Sequence, residues 1–325
     1  MRRLLLLGLV VLTALVNGCT SGGKDDPGDE SNALVRALER ISASDTTRQQ
    51  ITFDDTAALT ELSDDADPAV GFGGLVLAGS PALSGDLKTV EKTTGLRPRS
   101  ASFTISAGRT PAVVAVVAGG QNADDVEKTL TASGWKADGD QLVASPDGSV
   151  SDGTTLPIHL ARVRADGSDV VYAGNGARVS DVGRSGSARA DGDTLADDRR
   201  VAALADCLGD VVAATFVVGQ QQGSPTMVAV GVRRPKTGDD TPRAVTCTAW
   251  STSAAADAYT TDLRDALARG TTASSRRPYA ELLKSATVQE IGGDEHVVGW
   301  QAETPTSAVL ILQMAWRNEL PALVA

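Results

Sequence analysis

The residues able to do chemistry are few and scattered. His159 and His296 are the only imidazoles, so any relay of nucleophile, base and carboxylate must run through one of them. His159 is expected in mid-strand within "PIHLARV" and His296 at the start of the strand "HVVGW". In both places a histidine serves structure more readily than catalysis. No G-x-S-x-G elbow is present, because "GRSGS" from Gly183 fails at its fifth place. Two histidines and three cysteines supply no zinc-binding set. The Asp-Gly loops at Asp138 and Asp140, at Asp147 and Asp152, and at Asp191 and Asp193 lack the spacing and closing glutamate of a calcium loop and read as turns. Gly174-Asn175-Gly176 follows a strand, but Val179 stands where a dinucleotide fingerprint needs its third glycine. The expectation is a protein that is not an enzyme and holds no cofactor or metal.

The cysteines say more about location. Met1-Arg2-Arg3 is followed by the apolar run Leu4 to Val16, then Asn17, Gly18 and Cys19. A basic start and an apolar stretch of about a dozen residues form an export signal, too short for a spanning helix of roughly 20 residues. The end of this stretch resembles the lipobox of bacterial lipoproteins, which implies cleavage after Gly18 and lipidation of Cys19. The alternative is a plain signal peptide in which Cys19 is incidental. Stable anchoring takes two or more acyl chains, and a diacylglycerol thioether on Cys19 would supply them. The stretch "TSGGKDDPGDES" cannot bury enough apolar surface to order itself and reads as an acidic tether. In an exported chain Cys207 and Cys247 are read first as a disulfide, and otherwise as two buried thiols.

Composition narrows the partners. The net charge is −11, and no basic stripe is visible of the kind that phosphate neutralisation on nucleic acid requires. Hydrophobic residues make up 42% but aromatics only 3%, so the core must be aliphatic. Trp135, Trp250, Trp300 and Trp316 are expected as core anchors or as the wall of a groove for a peptide, glycan or acyl chain. Trp316, on the last helix, is the first candidate for a groove.

The elements that position these residues read as α+β, with antiparallel sheets and helices on one face. "ASFTIS" and "PAVVAVVA" form two strands, and Asn122 caps a helix. The segment "IHLARVRADGSDVVYAG" is a hairpin turning at Asp166-Gly167, and "ARVSDVGRS" opens a further helix. The same order recurs in "TMVAVGV" and "RAVTCTAW", a helix over residues 253–269, the hairpin "SATVQEIGGDEHVVGWQAE" and a closing helix over 305–318. Two similar strand–strand–helix–hairpin–helix units are therefore expected. "TPAVV" against "TPRAV", and "DVVYAG" against "EHVVGW", are the best matches between them. The division is residues 1–18 signal peptide, 19–31 tether, 32–190 first unit and 191–325 second unit.

A lipobox, an acidic tether, strand–helix–hairpin units and the terminal "RNELPALVA" together resemble a loosely defined group of exported actinobacterial lipoproteins of unassigned function. The resemblance implies location and architecture only. The expected role is a binding or scaffolding module on the outer face of the cell membrane, held by lipid on Cys19. Its partner would be an envelope protein or an apolar ligand, with no nucleic acid. The alternative is a carrier of a lipid or other apolar ligand, with Val70 to Leu83 as the place to seek a cavity wall.

Overall fold

The computed structural model describes residues 32–64, 71–85, 87–144, 156–219, 223–238 and 240–323. Cys19, the expected leader and tether, Asp147 and Asp152 lie outside the described residues.

Twelve strands occur among the described residues: β1 (Gln50–Asp54), β2 (Phe103–Arg109), β3 (Ala112–Ala118), β4 (Lys136–Asp138), β5 (Gln141–Val143), β6 (Arg162–Asp166), β7 (Asp169–Ala173), β8 (Val211–Val218), β9 (Met227–Arg233), β10 (Arg243–Ala249), β11 (Lys284–Gly292) and β12 (Val297–Glu303). They form one antiparallel sheet in the order β11-β12-β10-β9-β8-β1-β2-β3-β7-β6-β5-β4. The helices are α1 (Ala33–Glu39), α2 (Thr56–Asp64), α3 (Leu87–Thr94), α4 (Ala123–Ala132), α5 (Leu156–His159), α6 (Arg199–Leu208), α7 (Ser253–Arg269), α8 (Tyr279–Leu282) and α9 (Leu310–Trp316). The fold is α+β.

The helices begin where side chains satisfy their first N–H groups. Asn122 accepts from Asp125 N, Asp198 from Arg200 N and Val201 N, and Thr252 from Ala255 N. α7 ends at Gly270, matching the helix expected from the sequence.

Other expectations are corrected. His159 ends the short helix α5 and is not in a strand; Pro157 has no N–H to give to a ladder and suits a first helical turn. His296 lies in the turn before β12 with φ +46°. "ARVSDVGRS" contributes only a 3-10 turn at Val179–Asp181, and the closing helix is confined to Leu310–Trp316.

The helices cover both faces of the sheet, not one. On one face Leu34 and Leu38 of α1, with Val201, Leu204 and Leu208 of α6, pack over Ile51, Phe53, Ile105, Val116 and Phe216. On the other face there are two cores. Leu263 of α7 and Ile311 and Leu312 of α9 cover Val230, Val298 and Trp300, while Val126 and Leu130 of α4 cover Val117, Val163 and Tyr172. The cause is visible in β3, whose run of Ala and Val is apolar at every position. A strand buried on both sides needs cover on both sides.

Between those two cores the middle strands present polar side chains: Thr52, Asp54, Thr104, Ser106 and Thr215, all buried. The segment that follows the 3-10 turn Phe72–Leu75 lies over them. Gly79 N donates to Asp54 Oδ2 at 2.8 Å, Thr104 Oγ1 donates to the same oxygen at 2.5 Å, and Thr56 Oγ1 donates to Oδ1 at 2.6 Å. Only glycine fits at position 79, because a Cβ there would collide with Thr104 O and Asp54 N. Phe72, Leu75 and Leu83 are fully buried, while Pro81 and Ala82 of the same stretch border a depression of about 330 Å³. Burial pushes the Asp54 carboxyl up to about 6 against those hydrogen bonds.

Candidate functional site

A cleft of about 650 Å³ opens where α9 and the segment after it meet β8 and β9. Its floor is one face of the sheet. Thr215 and Val217 of β8 stand opposite Val230 and Val228 of β9, and alternation along each strand points all four the same way. Trp250, just after β10, forms one wall. Its ring lies 4.9 Å from that of Tyr259, and its Nε1 donates to Thr248 Oγ1 at 2.9 Å. The opposite wall is Trp316 with the residues that follow it.

The chain reverses after α9 because Asn318 and Ala322 adopt left-handed backbone, with φ +55° and +59°. Glu319 N donates to Met314 O at 2.8 Å. The reversed segment is then pinned from outside. Ser274 N donates to Glu319 Oε1 at 2.7 Å, and Tyr279 Oη donates to Glu319 O at 2.9 Å. These contacts with Ser274 hold the Glu319 carboxyl below its ordinary range. Leu320 turns inward and is buried against the second core.

Among the described residues that line the cleft none carries a charge. Trp316 is 51% exposed at its mouth. At the floor, Thr215 is buried and its hydroxyl has no hydrogen-bond partner among the described residues. Buried hydroxyls are nearly always partnered, so this one requires an explanation.

The other candidates separate. Trp135 is a core anchor whose Nε1 donates to Leu160 O at 2.8 Å, and Trp300 is buried in the second core. His159 borders a smaller depression of about 330 Å³ with Thr52, Ser106, Arg109 and Tyr172. Among the described residues no carboxylate lines it. Ser106 Oγ bonds Thr52 at 2.6 Å, and the Tyr172 hydroxyl bonds Ser80, so the nucleophile–base–carboxylate geometry of a hydrolase is not formed there. Burial pushes the Tyr172 phenol upward. Among the described residues no group of three His, Cys, Asp or Glu side chains is placed to hold a metal ion.

Cys207 and Cys247 form a disulfide with a Cα–Cα separation of 6.2 Å, joining α6 to β10. Among the described residues no helix is long and apolar enough to cross a membrane. Thr215 and the valines of the floor were not singled out by the sequence reading. The available signal was the lone threonine in the otherwise apolar "VVAATFVVG".

Comparison of the chain with protein-family models, with curated proteins and with solved structures gives no match.

Proposed function

We propose that this protein is a lipid-anchored binding module of the cell envelope, tethered through Cys19 on the extracytoplasmic face, with the Trp316 cleft as its ligand site. One observation carries the reading: an aromatic-walled cleft, uncharged among the described residues, stands open beside three packed cores. Its lining divides almost evenly between polar and apolar surface, and a concavity of about this volume is the usual form of a small-molecule site. A second reading, carriage of an apolar ligand, draws on the valine floor of Val217, Val228 and Val230.

We also infer that the fold is a duplication of two similar units. With α2 and α3 taken as an insertion between β1 and β2, and β4, β5 and α5 as another before β6, the order α1-β1-β2-β3-α4 and the β6–β7 hairpin corresponds to α6-β8-β9-β10-α7 and the β11–β12 hairpin, and antiparallel β1 and β8 join the halves. "TPAVV" and "TPRAV" support this. Their alignment sets Ala115 against Thr246, and both lie on the same row across the sheet as Thr52 and Thr215.

The test is hydrogen exchange on the exported protein with and without an extract of envelope components. Slowed exchange confined to residues 310–323 and the β8–β9 ladder supports the cleft as the ligand site, and unchanged exchange there overturns it. The intact mass of membrane-extracted protein tests the anchor. The value for the chain from Cys19 plus acyl groups supports it, and an unmodified chain contradicts it.

A further inference from the structure

We infer that the Trp316 cleft is one end of a longer trough that holds an extended peptide segment. An aromatic or aliphatic side chain of that peptide lies at Trp316, and a carboxylate lies at Arg109 and His159. The inference rests on the cleft being the ligand site.

Two depressions lie on one face of the sheet, and strand register makes them neighbours. Val217 of β8 lines the cleft, Gln50 of β1 lines the smaller depression, and the two stand opposite each other in the β1–β8 ladder. Opposite residues point to the same face with Cβ atoms about 5 Å apart. The pairing of Ile51 with Ala107 sets Gly108 beside Gln50, and Gly108 is opposite Val113 of β3. Val228, opposite Val217, continues the row onto β9. The side chains of Val228, Val217, Gln50 and Val113 are all half-buried, so solvent reaches this row. The next row inward, with Val230, Thr215, Thr52 and Ser106, is buried and closed to a ligand. Five strands spaced about 4.8 Å apart give the open row a length of about 19 Å, that of about six extended residues.

The two ends differ in chemistry. At one end Trp316, half in solvent, stands with Val228 and Leu323, and an indole face packs well on an aromatic or aliphatic side chain. At the other end Arg109, which closes β2, and His159 border the depression. A guanidinium carries five N–H donors in a fixed fork, more than one partner can use, and its bonds to carboxylates are the strong, charge-assisted kind. In a chain of net charge −11 this end is therefore suited to an anionic group. Between the ends the floor is mixed. The half-buried Gln50 amide can donate to a peptide C=O and accept from a peptide N–H. An acyl chain laid over it would strip water from the amide and return no hydrogen bond. A peptide answers both the amide and the valines beside it.

The experiment passes a pool of hexapeptides over the immobilised full chain. Each peptide carries Phe at one end and Glu at the other, in both orders, with capped termini and four varied positions between. A second pool has Gln in place of Glu. The Glu pool is expected to be retained at least about tenfold more strongly, the worth of one charge-assisted hydrogen bond. The recovered peptides are expected to slow hydrogen exchange at residues 310–323 and at 106–113 together. Tripeptides cut from either end are expected to bind at least about tenfold more weakly, since they reach one end only. Arg109→Met is expected to erase the preference for Glu, and where that variant does not fold, the two pools on the unaltered chain still decide. Equal retention of the two pools overturns the inference. Protection confined to residues 310–323 also overturns it and leaves the cleft standing as the ligand site. Protection of both ends by palmitate, with neither pool retained, overturns it in favour of a lipid. If neither the peptides nor envelope extract protects residues 310–323, both the trough and the ligand site fail.

Discussion

Thr52 faces Thr215 across the β1–β8 ladder, and the two hydroxyls have opposite environments. Thr52 Oγ1 bonds Ser106 Oγ at 2.6 Å and Gly79 O at 3.3 Å, whereas Thr215 Oγ1 is buried without a partner among the described residues. Thr52→Val is therefore expected to destabilise the protein by about 1 kcal/mol and to leave Ser106 short of a partner. Thr215→Val removes a group that has nothing to lose, and in the absence of ligand it is expected to stabilise by about 1 kcal/mol. Urea unfolding midpoints check both. A loss of stability in Thr215→Val would mean that a water molecule satisfies the hydroxyl.

The Asp54 carboxyl sets a pH dependence. Its folded value, about 6, lies above the ordinary 3.8, so the folded state binds the proton more tightly than the unfolded chain. Stability from this group is full below about pH 4, falls through the window from about 4 to 6, and is flat above it; a shift of this size corresponds to about 3 kcal/mol. Asp54→Asn can still accept from Gly79 and Thr104 and donate to Thr56. It is expected to abolish the fall in thermal midpoint between pH 4 and 6, and an unchanged profile would assign that fall to other groups.

The disulfide closes a separation of 40 residues, and chain entropy alone then assigns it about 4 kcal/mol. Replacing Cys207 and Cys247 together by Ala should lower the unfolding free energy by up to that amount and leave ligand binding intact, because neither sulfur lines the cleft. Denaturation of the double variant, paired with a titration, separates the two effects.

The four tryptophans divide by burial. Trp300→Ala removes a side chain 2% exposed and should cost about 3–5 kcal/mol. Trp316→Ala, at a side chain 51% exposed, should change stability by less than about 0.5 kcal/mol. A large loss in the second variant would make Trp316 a structural residue and not part of a site.

Local signals carried the parts of this fold that depend on local chemistry. The span of α7 follows from helical spacing between Thr252 and Gly270, and the hairpin at Asp166-Gly167 from its turn residues. The Cys207–Cys247 pair follows from there being no other cysteines beyond Cys19. The cover on both faces was legible in "PAVVAVVA", whose unbroken apolar run leaves no solvent side, but a hairpin with helices on one face was the expectation drawn from it. The cleft was not legible. It exists because Asn318 and Ala322 take left-handed backbone without being glycine and because Ser274 and Tyr279 hold Glu319, contacts between segments far apart in the chain. Trp316 alone pointed toward it.

The most direct test reads the four indole N–H signals of the uniformly ¹⁵N-labelled protein while envelope extract is added. Binding in the cleft should move the Trp316 and Trp250 signals and leave Trp135 and Trp300, both inside closed cores, where they were. Four unmoved signals, or movement of Trp135 and Trp300 without Trp316, would contradict a ligand site at the cleft.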